Sequence, residues 1–136
     1  MEYKKEHLNP EGLFNSPAFS QVVTTQGNGK TIYIGGQNAV NLHGEVVGKG
    51  DMALQTDQVM KNLEIALTAC GATFDDLIKL NIHVVQGQDI RKGFEVSQRY
   101  LGSCSTQPII TVLFVAGLAN PDFLLEIEGI AFIPQE

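Results

Sequence analysis

Tryptophan is absent from this chain, cysteine occurs twice, and arginine is found only as Arg91 and Arg99. The two cysteines, Cys70 and Cys104, form no CxxC pair and have no histidine beside them at metal-ligand spacing. That excludes a disulfide-stapled scaffold and a thiolate metal centre, and leaves two reduced thiols in the core or its loops. Basic runs are missing too: Lys4-Lys5 and Arg91-Lys92 are dipeptides, and 9 basic against 15 acidic residues give a net charge of −6. Phosphate backbones are repelled by such a chain, and its few aromatics are not interleaved with cations, so no nucleic acid is expected as a partner. No run approaches the ~18 apolar residues of a membrane span, and residues 1–7 carry no apolar signal-type core. The expectation is a cytoplasmic protein with no membrane association and no metal.

What is present fits a compact fold. With 136 residues, 43% of them apolar and 18% charged, the chain has the length and composition of one ordinary domain spanning 1–136. Two β-rich runs, residues 19–25 and 31–37, flank Gln26-Gly27-Asn28-Gly29-Lys30, a hairpin signal because Gly and Asn tolerate the positive φ of tight turns. After a turn at residues 42–45, Asp51 caps a helix running to about Cys70, with Val59, Leu63, Ala66, Leu67 and Cys70 on one stripe and Gly71 as its stop. Thr73 and Asp76 have capping-box spacing, and Ile78, Leu80, Ile82 and Val84 then alternate with Lys79, Asn81 and His83 as a strand with one buried face. A second helix from an Asp89 cap to Leu101 would turn Ile90, Phe94 and Leu101 inward and Arg91, Glu95 and Arg99 outward. Residues 109–116 form an apolar strand, and residues 123–133 the last one.

That order predicts an α+β fold, one mixed sheet with two helices on one face. The strand at 109–116 is apolar on both sides, so the uncovered sheet surface is expected to pack between subunits. On the last strand Glu126 and Glu128 share a face, opposite Leu125, Ile127, Ala131 and Ile133. Carboxylates set into an apolar strand need solvent or partners, which points to a polar cleft or a subunit interface, with simple solvation on an open sheet as the plain alternative.

Several motifs carry a resemblance over nearly the whole chain: Ile34-Gly35-Gly36-Gln37, Asn62-Leu63, residues 69–77 from Ala69 to Leu77, Pro108, and Glu126-Ile127-Glu128-Gly129-Ile130-Ala131. In their order and spacing the sequence resembles the Rid family, the YjgF-type reactive-intermediate deaminases. The resemblance implies a chorismate-mutase-like subunit, a homotrimer with small-molecule clefts between subunits, and hydrolysis of imines or enamines without a cofactor. It also implies that Glu126 positions the attacking water, that Gly36 corresponds to the glycine of a Ser-Gly-Gln motif, and that Phe19 stands where a tyrosine usually lines the cleft. The arginine expected two residues after the proline is replaced by Ile110, which cannot supply the charged fork that grips a substrate carboxylate.

The resulting expectation is an imine- or enamine-type hydrolase that does not use the usual 2-imino acids. A non-catalytic, metabolite-binding trimer is the alternative, and ribonuclease activity fits poorly with the charge. Arg91 or Arg99 could replace the missing cation, although exposed pairing with Glu95 is the simpler reading. His83 reads as a surface or interface histidine rather than a base, and Cys104 lacks a positioned base that would make it a nucleophile.

Overall fold

The computed structural model describes residues 4–135. Six strands and two long helices follow in the order β1 (Lys4–Leu8), β2 (Val22–Gln26), β3 (Gly29–Gln37), α1 (Met52–Ala69), β4 (Leu77–Val85), α2 (Ile90–Leu101), β5 (Ile109–Val115) and β6 (Leu125–Pro134). β3, β6, β4 and β5 make one sheet in that order, antiparallel except for the parallel pair β4 and β5, and β1 pairs with β2 in a separate ribbon. The fold is α+β, with α1 and α2 packed on the sheet face that carries Leu80, Val84, Leu125, Ile127 and Ala131.

Local chemistry sets the helix ends. The Asp51 carboxylate accepts from the Leu54 amide at 3.0 Å at the start of α1, and Gly71, at φ 77°, turns the chain away after its end. Val59, Leu63 and Leu67 are fully buried, as their spacing predicts, and Ala66 and Cys70 pack at the edge of the core. Asp89 caps α2 by accepting from the Arg91 amide at 3.0 Å.

Three expectations are corrected. The runs around Gly27-Asn28 do turn tightly, with Gly27 at φ 81°, but they do not form a hairpin: β2 takes β1 as its partner, and β3 takes β6. β1 left no mark in the hydrophobic pattern because its ribbon buries no continuous face. Ile78 is not the first core residue of β4. A register shift between Leu77 and Lys79 puts Leu77 in the core instead, after which the predicted alternation holds. On α2 the buried positions are Gly93, Val96 and Leu101, while Ile90 and Phe94 are exposed. A Cβ on Gly93 would lie 3.0 Å from Cε of Met52, so the glycine lets the two helices approach and turns the Ile90 and Phe94 stripe toward a gap beside the sheet.

Candidate functional site

The candidate residues fall on the two faces of the four-stranded sheet. On the open face, away from the helices, β4 and β6 pair with Asn81 opposite Glu128 and His83 opposite Glu126. Asn81 Nδ2 donates to Glu128 Oε1 at 3.0 Å, which occupies that carboxylate. Among the described residues none hydrogen-bonds the Glu126 carboxylate, and His83 Nδ1 is buried without a partner. Farther along the same face, Tyr33, Lys79, Asn81 and Glu128 line a shallow depression of about 280 Å³.

Gly36 meets Glu126 directly. Between Ile34↔Gly129 and Gln37↔Ile127 the register of β3 against β6 slips by one residue, and Gly35 and Gly36 span the bulge. A Cβ on Gly36 would stand 2.6 Å from Cδ of Glu126 and 2.7 Å from Oε2, so the carboxylate occupies space that any larger residue would fill. Polar side chains hold this juxtaposition from outside the sheet. Asn38 Nδ2 donates to the Leu125 carbonyl at 3.2 Å, and Asn62 Nδ2 on α1 donates to the carbonyls of Asn38 and Val40 at 3.0 Å each. Gln55, wholly buried on α1, accepts from the Leu124 amide at 2.9 Å and donates to the Asp122 carbonyl at 2.8 Å. Thus α1 fixes both the loop after Gly36 and the loop before Glu126.

Phe19 and Ile110 lie on the other face. Ile110 pairs with Leu80 in the parallel β4 and β5 register and points toward the helices. Phe19 is brought beside it because Ser20 donates through both its amide, to the Pro108 carbonyl at 3.0 Å, and its hydroxyl, to the Gln107 carbonyl at 2.6 Å. Both line a cavity of about 260 Å³ between α1, α2 and the sheet. No charged side chain lines it. Of its polar lining residues, Thr56 and Ser97 spend their hydroxyls on the carbonyls of Met52 and Phe94, at 2.7 and 2.9 Å, leaving Gln98. Arg91 stands outside the cavity lining, its side chain 85% exposed, with Nε 3.3 Å from Asp89 Oδ1. Its ion partner is thus Asp89 rather than Glu95, and the two hold each other charged: the guanidinium lowers the carboxyl's pKa and the carboxylate raises the guanidinium's.

The single chain therefore joins Gly36 to Glu126 and Phe19 to Ile110, but separates the two pairs by the thickness of the sheet. Sequence reasoning missed Gln55 and Asn38, whose work is visible only once the loops are placed, and the open nitrogen of His83.

Cys70 and Cys104 are both free thiols, and burial, followed by the nearby Asp75 carboxylate, pushes the Cys104 thiol's pKa up, away from the reactive thiolate. Among the described residues there is no group of three or more His, Cys, Asp or Glu side chains placed to hold a metal, and no helix long and apolar enough to cross a membrane.

A two-helix layer on a mixed sheet, with a glycine bulge seated on a strand glutamate, makes this an α+β fold of the kind found in solved Rid and YjgF structures. The chain belongs to the Endoribonuclease L-PSP family, the Rid or YjgF family, which it matches over residues 13–133. It is 35% identical over 105 residues to a RutC family protein of Pyrococcus horikoshii, covering 76% of this chain and 80% of that protein. A RutC family protein of Pyrococcus abyssi is 32% identical over the same shares of each chain. Among solved structures it resembles YyfB of Yersinia pestis, a Rid family protein of unknown function, with a TM-score of 0.84 and 32% identity over 95% of this chain and 98% of that one.

Proposed function

We propose that the protein is a homotrimeric, cofactor-independent hydrolase of a small imine, enamine or related reactive metabolite that lacks an α-carboxylate. The observation that carries this reading is the uncharged cavity around Ile110 and Phe19 together with the unpartnered Glu126 carboxylate against Gly36. The two pairs complete one site where the open face of one subunit meets the cavity mouth of the next. Exposed Leu113 and Phe114 on the free edge of β5, 52% and 51% accessible, support such a contact, because an apolar edge strand left bare invites association.

In this site Glu126 accepts a proton from water as the oxygen attacks the carbon of C=N, and the resulting carbinolamine loses ammonia to give the carbonyl product. The carboxylate needs no metal to act as a base. Ile110 sets the substrate class: a 2-imino acid would have to bury its carboxylate against an apolar wall, losing a charge-assisted contact of roughly 1.5–3 kcal/mol. The family name carries ribonuclease activity as a further reading, but a net charge of −6 argues against gripping an RNA backbone.

A second reading, a metabolite-binding trimer without turnover, is favoured by the apolar lining alone. Thermal-shift screening of neutral imines, enamines and their carbonyl products, followed by ammonia release from every stabilising compound, separates the two. Stabilisation with ammonia release supports the hydrolase; stabilisation without it supports the binding protein. Light scattering must give about 44 kDa, three times the 14.8 kDa subunit, and a stable monomer would remove the shared site.

A further inference from the structure

We infer that His83 and Glu126 form a proton-sharing pair across the open face of the sheet, with His83 supplying the proton that Glu126 cannot. The inference rests on the hydrolase reading for its chemistry, but the pair itself follows from placement. Direct partners in an antiparallel ladder project from the same face with Cβ atoms about 4.5–5.5 Å apart. The neighbouring pair, Asn81 and Glu128, confirms which face this is by its 3.0 Å hydrogen bond. One row further, His83 and Glu126 make no such bond, although His83 Nδ1 is shut off from solvent and has no partner. A buried ring nitrogen without a partner is costly, and a water or a substrate atom held between it and the Glu126 carboxylate opposite would satisfy it.

Among the described residues no other titratable group is paired with this position. Glu128 lies one row away and is held by Asn81, and Lys79 lies two rows away on β4. Opposite His83 on the other side stands Leu113, on a strand with no ionisable residue, and the one ionisable side chain that β3 turns to this face is Tyr33.

The pair balances imine hydrolysis. Water adds its oxygen to the C=NH carbon and gives a proton to the Glu126 carboxylate, while the His83 imidazolium protonates the nitrogen, leaving a carbinolamine with OH and NH₂ on one carbon. The hydroxyl proton then returns to His83 as the C–N bond breaks, and the departing nitrogen takes the proton from Glu126 and leaves as ammonia. Imine and water are consumed, carbonyl and ammonia appear, and both side chains end as they began.

The test is the ring-nitrogen spectrum of His83 in the intact protein at one fixed pH, read by long-range ¹H–¹⁵N NMR and assigned against the only other histidines, His7 and His43. Glu126→Gln should move the His83 ring ¹⁵N signals, through loss of the facing carboxylate, and Glu128→Gln should move them by less than half as much. Ring signals unmoved by Glu126→Gln, or moved equally by Glu128→Gln, overturn the pair. On a substrate that is turned over, His83→Phe should lower kcat by about 10²-fold or more with little change in KM. Wild-type kcat in a folded His83→Phe variant overturns the donor role while leaving the hydrolase reading intact. His83 ring signals that respond to Glu126→Gln in a protein that hydrolyses no imine support the pair and overturn the hydrolase reading instead.

Discussion

Gly36 faces Glu126 across the β3 bulge, with the carboxylate lying where the glycine lacks a side chain: a Cβ there would stand 2.6 Å from Cδ of Glu126. The glycine does not serve a strained backbone there, since its φ is not positive. Its role is space. Gly36→Ala should therefore leave the fold intact, changing stability by less than about 1 kcal/mol, because the atoms it strikes are the far end of a flexible side chain. It should nonetheless push the carboxylate out of place and lower turnover or ligand affinity by about tenfold or more. Melting temperature and ligand titration on the same preparation check the two halves together.

Gln55 ties α1 to the segment that leads into β6. Its side-chain amide satisfies the carbonyls of Gly48 and Asp122 and the amide of Leu124, and it is wholly inaccessible to solvent. Gln55→Leu keeps the volume but strands those backbone groups, and should cost about 2–4 kcal/mol in chemical denaturation. An unchanged midpoint would show that the loop before Glu126 holds its shape without the helix.

Tyr100 gives the fold an alkaline dependence. Its hydroxyl donates to Asp57 Oδ1 at 2.5 Å, its ring stacks edge-on against Phe74 at 5.8 Å, and burial, helped by the Asp57 bond, pushes its pKa up to about 12. A folded pKa above the unfolded value near 10 means that this stabilisation is complete below about pH 10 and is lost as pH rises toward 12. The same bond lowers the Asp57 pKa, so its share of stability is present above the ordinary Asp value and is lost as pH falls through the lowered one. Stability curves of Tyr100→Phe should be flatter than wild type at both ends; parallel curves would refute the linkage.

Much of this architecture is legible in the sequence because the signals are local or strictly periodic. The Asp51 and Asp89 caps, the Val59, Leu63 and Leu67 stripe, and the two faces of β6 each follow from one or two turns of chain. What the sequence hides is choice of partner. β2 carries the pattern of half a hairpin, yet its mate is β1, an N-terminal segment whose polar residues give no periodicity. Phe94 is apolar at helical spacing, and only the close approach at Gly93 decides that it borders a cavity rather than filling the core. The site is similarly divided: Glu126 and Gly36 can be picked out as residues, but the sheet that separates them from Ile110 and Phe19 appears only when the strands are ordered.

The central claim is that Ile110 excludes carboxylate-bearing substrates from a site that otherwise retains its hydrolytic group. Turnover of 2-imino acids by Ile110→Arg tests it most directly, measured as ammonia release beside wild type and Ile110→Arg/Glu126→Gln, with trimer mass and melting temperature verified for each because a buried arginine can weaken the interface. The account predicts little or no activity in the wild-type protein, a gain of about tenfold or more on adding the guanidinium, and loss of that gain when the Glu126 charge is removed. A folded, trimeric Ile110→Arg protein with no gain, or a wild-type protein that already hydrolyses 2-imino acids efficiently, would contradict it.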